Sequence, residues 1–147
     1  MLVGGVFHSS RFLSSRGRPP FASIAHVKTE TKLRTGEVGE WAAANFLEDR
    51  GYTLLDKNWR WGRFGELDLV MAKGSEVLFV EVKTRRTLSA GLPLEAVDGR
   101  KLTRMKQVGA AWLRDHHHRG SYRFDVIGVY LRPAREPLFE WLQDVGQ

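Results

Sequence analysis

The residues of this chain whose types and spacing could do chemistry are Asp68, Glu81 and Lys83. They lie in ELDLVMAKGSEVLFVEVK, residues 66–83, where two alternating apolar runs flank Gly74-Ser75 in the manner of a β-hairpin. Glycine at the first turn position suits a type II′ connection, so Lys73 pairs with Glu76 and the register counts outward from there. Asp68 then falls opposite Glu81 and Glu66 opposite Lys83, while Leu67, Leu69 and Met71 share the other face with Leu78, Val80 and Val82. Directly opposed Cβ atoms are roughly 4.5–5.5 Å apart, and two carboxylates at that spacing repel each other. A divalent cation relieves the repulsion. Oxygen ligands beside an ammonium suit Mg²⁺ or Mn²⁺, which keep positions open for water and phosphate. Such a site polarises a phosphoryl oxygen and lowers the pKa of a bound water; Lys83, on the same face as Glu81, can hold that water or offset developing charge. Phosphodiester hydrolysis is the chemistry this pattern fits. The plainer readings are a solvated hairpin face, Lys83 as a simple counter-ion to the pair, and Glu66 as its cross-strand salt-bridge partner.

The elements around the hairpin must position it. Thr35 reads as the N-cap of a helix ending at Gly51, with Glu37 and Glu40 in its first turns and Val38, Trp41, Ala42, Phe46 and Leu47 on one side. An acid at Glu40 compensates the helix dipole there. Residues 52–61 read as a strand entering a turn at Asn58-Trp59-Arg60-Trp61-Gly62-Arg63-Phe64-Gly65. Aromatics interleaved with arginines can stack bases and hold phosphates, though the simpler reading makes them a core rim with Arg60 and Arg63 solvated or paired with acids. Residues 84–91 look like a mobile loop in which Arg85 and Arg86 are placed for phosphate. A second helix, residues 98–116, has Leu102, Met105, Val108, Trp112 and Leu113 at helical spacing and Lys101 and Arg104 on its early turns. His116, His117 and His118 point in different directions from a helix end, so they suit solvent better than a metal. Residues 122–131 form another strand, and 138–142, after Pro133 and Pro137, a short edge strand. The order αβββαβ plus an edge strand predicts an α/β domain, a mixed sheet flanked by helices.

Asp68 followed by Glu81-Val82-Lys83 on the next strand resembles the PD-(D/E)xK nuclease core without its opening proline. Gly36-Glu37-Val38-Gly39-Glu40, Gly51-Tyr52, Asn58-Trp59-Arg60, the stretch from Gly65 to Leu69, Phe79 to Arg85, Lys101 and Arg123-Phe124-Asp125 resemble, in order and spacing, the bacterial YraN-type family. That family is described as endonuclease-like and is similar to archaeal Holliday junction resolvases; the likeness covers about residues 35–142. It implies a restriction-endonuclease-like fold and Mg²⁺- or Mn²⁺-dependent cleavage of DNA, with Asp68 and Glu81 as metal ligands and Lys83 as the catalytic lysine. In the resolvase-like relatives a glutamate four residues after a glycine on the first helix reaches the metal, and Gly36 to Glu40 reproduces that spacing. The resemblance therefore implies Glu40 as a third acid, with Glu37 the weaker candidate. It also implies that the helix after E-x-K returns a polar residue to the site, here Lys101 with Arg104; the glutamine-tyrosine of some relatives is absent. Branched DNA in repair or recombination, a homodimer, and DNA rather than RNA are expectations of the same origin, since nothing in the sequence marks a reader of the 2′-hydroxyl. Asp125 is expected to serve structurally through hydrogen bonds. The alternative of a different class is a non-catalytic nucleic-acid-binding or protein-interaction module on the same fold.

Composition limits the rest. With 147 residues, 42% of them hydrophobic, the chain can build one domain with a proper core. It has no cysteine, which excludes disulfides, thiolate metal sites and a cysteine nucleophile and fits a reducing, cytoplasmic setting. No apolar run approaches a membrane span. The net charge of +6 suggests an anionic partner, yet residues 1–34 hold six Lys/Arg against Glu30 alone, leaving seventeen basic against sixteen acidic residues in 35–147. The basic residues there are clustered: Arg60 and Arg63; Lys83, Arg85 and Arg86; Arg100, Lys101, Arg104 and Lys106. Such clusters can hold phosphate where the total would not suggest it. Residues 1–34, rich in Ser, Gly, Pro and Arg, read as a flexible basic arm before a domain at 35–147; a misplaced start, a DNA-steering arm and organelle targeting are the alternatives.

Overall fold

The chain reverses at Gly74, whose φ of +59° is open to glycine and strained for other residues. Lys73 pairs with Glu76 across this turn, the register the sequence predicts. The computed structural model describes residues 5–8, 32–86 and 98–146. Their elements are β1 (Gly5–His8), α1 (Lys32–Glu48), β2 (Thr53–Arg60), β3 (Glu66–Lys73), β4 (Glu76–Arg85), α2 (Gly99–Asp115), β5 (Tyr122–Arg132) and β6 (Arg135–Leu142). The strands form one mixed sheet in the order β1-β6-β5-β4-β3-β2. β4 and β5 are parallel, as a crossover through α2 allows, and the other neighbours are antiparallel.

Each helix covers one face of the sheet. The small side chains of Ala42, Ala43 and Ala44 let α1 lie close, with Phe46 and Leu47 packed among Leu69, Val80, Ile127, Phe139 and Trp141. On the opposite face Met105, Val108 and Trp112 of α2 pack on Leu67, Val70, Phe79 and Phe124. Phe46 stacks on Phe139 at 4.4 Å, and Phe79 on Phe124 at 5.2 Å. Among the described residues no helix is long and apolar enough to cross a membrane.

Several boundaries differ from expectation for physical reasons. α1 starts at Lys32, because Lys32, Leu33 and Arg34 are good helix formers that extend it backwards. Thr35 is thus inside the helix, and its hydroxyl accepts a hydrogen bond from Arg86 Nη2 at 3.0 Å instead of capping. Asp98 caps α2, accepting from Lys101 N at 2.8 Å. β4 continues through Arg85, because Thr84 pairs with Val129 and Arg85 with Tyr130; the expected loop begins later, and residues 87–97 lie outside the described residues. β6 is not an edge strand, since β1 pairs along it with Val6 opposite Glu140. Residues 5–8 of the expected arm are therefore strand, and the rest of residues 1–31 lies outside the described residues. Leu67 belongs to the α2 face while Leu69 belongs to the α1 face. The alternation fails between them where Asn58, with φ +54°, lies across from Asp68. His116 at the C-cap of α2 stacks on Trp112 at 4.0 Å, a helix-end role.

Gly39 brings α1 close against Thr84 of β4. A Cβ there would overlap the Thr84 hydroxyl and lie 2.8 Å from Thr84 Cβ, and Thr84 is too short to swing clear. Gly39→Ala is expected to destabilise the fold by about 1–3 kcal/mol, and Thr84→Gly in the same chain to restore part of that loss. Chemical denaturation of the single and double variants measures both; additive losses would show that Gly39 is not at a packing contact with Thr84.

Candidate active site

The hairpin ladder runs from Lys73↔Glu76 to Leu69↔Val80, and the site begins where it stops. There Asp68 turns its carboxylate to β4, and Oδ2 accepts the Val82 N–H at 2.8 Å. A side chain thus takes a backbone donor that a continued ladder would have used. The neighbouring Glu81 is 3% exposed, and its Oε1 receives Lys83 Nζ at 3.0 Å and Lys101 Nζ at 2.8 Å. Two ammonium groups on one oxygen offset the penalty of burying this carboxylate. Burial, followed by the charge of Glu81, pushes the Asp68 carboxyl up to about 7; Glu40 adds to the rise, while the Val82 N–H and Lys101 oppose it. For Lys101, burial works against the charged form, but the hydrogen bond to Glu81 and the charges of Glu81, Asp68 and Glu66 outweigh it and raise the ammonium above its ordinary value. Lys101 is therefore a fixed cation and no candidate for a base near neutral pH.

Glu40 approaches from α1 but has partners of its own. Its Oε2 forms an ion pair with Lys57 and accepts from Asn58 Nδ2 at 3.0 Å. Among the described residues no three His, Asp or Glu side chains gather closely enough to hold a metal ion between them. The structure thus brings Asp68, Glu81, Lys83 and Lys101 together, and Glu40 reaches the cluster through its charge at Asp68. Glu66 pairs with Arg60 at 2.9 Å and not with Lys83, which turns instead to Glu81.

Glu81 and Lys101 open into a cleft of about 360 Å³ whose other polar walls are Arg60, Arg63, Glu66 and Arg104. Lys101 contacts Glu81 and lines the cleft with Arg104, on the helix from which the resemblance implies a polar residue returning to the site. Arg85 and Arg86 are not among the lining residues: Arg85 Nη1 donates to Thr84 O, and Arg86 reaches back to Thr35. β4 extends past the site through Arg85, and Arg86 follows directly after it. Arg60 and Arg63, which the sequence reads as solvated or paired with acids, both line the cleft, and Arg60 is paired there with Glu66. Their clustering was a signal, but only the fold shows that the β2–β3 turn comes down onto α2, where a Cβ on Gly65 would lie 3.2 Å from Arg104 Cδ.

The fold and site define a class: a mixed α/β domain in which a buried carboxylate–lysine cluster opens into a cation-lined cleft. The chain belongs to the family described as Uncharacterised protein family UPF0102, the YraN-type family, whose model matches residues 39–129. That stretch runs from the close contact at Gly39 into β5 and so includes Asp68, Glu81, Lys83 and Lys101. A UPF0102 protein of Moorella thermoacetica is 45% identical over 104 residues, covering 70% of this chain and 86% of the relative. One from Rhodococcus jostii is 42% identical over 113 residues, covering 76% and 95%. One from Clavibacter michiganensis is 44% identical over 106 residues, covering 71% and 89%.

Proposed function

We propose that this chain is a divalent-metal-dependent nuclease that hydrolyses DNA phosphodiester bonds on a restriction-endonuclease-like sheet. The observation that carries the reading is the carboxyl of Asp68, driven up to about 7 by burial and by Glu81, where Glu81 itself opens into a cleft lined by Arg60, Arg63, Lys101 and Arg104 as well as Glu66. A carboxyl pair under such strain, with only oxygen donors to offer, fits a hard cation such as Mg²⁺ or Mn²⁺. Asp68 and Glu81 would hold it, and the charge of Glu40 adds to the field on the α1 side. Bound there, the ion would supply Lewis-acid polarisation of a phosphoryl oxygen and a more acidic water. The chain's own residues do the rest. Arg60, Arg63, Lys101 and Arg104 hold the phosphates, and Lys83 orients water or offsets charge developing on the phosphate. On a four-way DNA the same reading calls for two chains about a two-fold axis, one for each cut.

A second reading, a module that binds nucleic acid without turnover, has one observation in its favour: Lys83 and Lys101 together already balance the charge of Glu81. Incubation of linear, single-stranded, flapped and four-way DNAs with Mg²⁺ or Mn²⁺ decides between them. Wild-type protein is expected to cut at least one of these, and Glu81→Gln and Lys83→Ala to lose about a hundredfold or more in rate. Salt-sensitive DNA binding indifferent to metal, with every DNA left intact, would sink the nuclease and leave the module.

A further inference from the structure

The turn between β2 and β3 is braced and displays an aromatic pair. Trp61 N–H donates to Gly65 O and Phe64 N–H to Trp61 O, each at 3.0 Å. Gly62 and Gly65 take the left-handed backbone the tight path needs, with φ +51° and +143°. The turn rests on α2, since a Cβ on Gly65 would also lie 3.4 Å from Val108 Cγ2. On this frame Trp61 and Phe64 stack with ring centroids 4.6 Å apart and planes 27° from parallel. Trp61 is half-buried against the α2 cluster, whereas Phe64 is 48% exposed. The Arg114 guanidinium lies 5.7 Å from the Trp61 ring and that of Arg63 lies 5.9 Å from the Phe64 ring. Arg60, Gly62, Arg63 and Gly65, which flank and separate Trp61 and Phe64 in the turn, line the same cleft as Glu81.

A phenylalanine that merely completed the core would be covered. Here an open ring is backed by a fixed indole, flanked by cations and held beside a cleft suited to phosphate, the combination that binds unpaired bases. A base inside a continuous duplex already has both faces stacked and must be extruded at a penalty before it can meet such a ring. An unpaired base offers its face freely. We propose that Phe64, backed by Trp61, is a stacking platform for an unpaired nucleobase, so that the substrate is DNA with an unpaired segment beside the scissile bond. This rests on the nuclease reading of the cleft and names the substrate class of that site. Arg63 then meets the phosphate next to the stacked base.

Fluorescence anisotropy in Ca²⁺, with gels confirming uncut DNA, compares a blunt duplex with a fork of the same duplex sequence. Wild-type protein is expected to prefer the fork, and Phe64→Ala to lose about tenfold in affinity for the fork and little for the duplex. Phe64→Tyr keeps the preference, and Phe64→Leu, apolar but without a π face, does not. A 2-aminopurine at the first unpaired position is quenched by wild-type protein and not by Phe64→Ala, while thermal melting shows both equally folded. Equal losses on fork and duplex, or no loss on either, would overturn the platform and leave the nuclease reading standing. If wild-type protein bound neither DNA, the nuclease reading would fall and the platform with it.

Discussion

Asp68→Asn is expected to abolish metal-dependent cleavage and, at the same time, to make the metal-free protein more stable above neutral pH. Burial and the charge of Glu81 raise this carboxyl from the ordinary 3.8 to about 7. Below about pH 4 it is protonated in both folded and unfolded chains and its titration contributes nothing. Between about pH 4 and pH 7 the unfolded chain ionises while the folded chain keeps its proton, so stability falls as pH rises; above about pH 7 the whole penalty is present. At 1.36 kcal/mol per pKa unit the shift is worth at most ~4 kcal/mol, and solvent reaching this half-buried group reduces the expected figure to about 2–3 kcal/mol. Asparagine keeps the shape and still offers an oxygen to the Val82 N–H, but it carries no charge to oppose Glu81. Melting in EDTA from about pH 5 to about pH 9 should show wild type losing stability against the variant through this window; parallel profiles would contradict the strained pair. Activity moves the other way. Loss of a ligand for a Lewis acid removes several kcal/mol of transition-state stabilisation, about a thousandfold in rate, and unimpaired cutting by Asp68→Asn would remove Asp68 from the site.

How much of this was legible follows from the range over which each cause acts. The hairpin register is local: a glycine fit for φ +59° at Gly74 fixes Lys73 opposite Glu76 and leaves Asp68 and Glu81 as neighbours. The break in the ladder at that point was not legible, because the carboxylate of Asp68, not the backbone, bonds to Val82. Nor was the failure of alternation at Leu67, which occurs across from the left-handed backbone of Asn58 on a different strand. Lys101 was found through the family resemblance, but its 2.8 Å contact with Glu81 depends on how α2 crosses the sheet. The opposite fates of the arginines have the same origin. Arg60 and Arg63 join the cleft because a turn folds onto α2, while Arg85 stays paired with Tyr130 of β5 and Arg86 turns to Thr35 of α1. Residue types showed where charge was available; the packing of helices on the sheet determined which charges meet.

Asp125→Ala is expected to produce the largest loss of stability. Asp125 is 0% exposed, and both of its oxygens are engaged. Oδ1 accepts from Arg123 Nε at 3.0 Å and from Asp144 N at 2.9 Å, and Oδ2 from Trp141 Nε1 at 2.7 Å and Arg123 Nη2 at 3.2 Å. Burial pushes this carboxyl above its ordinary value, although the Arg123 hydrogen bond, the Asp144 N–H, the Arg123 charge and Trp141 all favour its ionised form. Alanine would remove the acceptor and leave the donors behind. The Trp141 indole and Asp144 N–H would lose a buried partner, and the Arg123 guanidinium would keep Glu76, at 3.0 Å, the Tyr52 hydroxyl, at 3.0 Å, and the Trp141 ring, at 5.9 Å. Breaking a buried ion pair from one side costs about 3–5 kcal/mol, here a fall of roughly 10–20 °C in melting temperature. Removing both charges is less damaging than stranding one, so Arg123→Met combined with Asp125→Ala should lose less than the sum of the two single variants. Calorimetry of the three variants tests this: a melting point for Asp125→Ala within a few degrees of wild type, or strictly additive losses, would show that the two residues do not act as one unit.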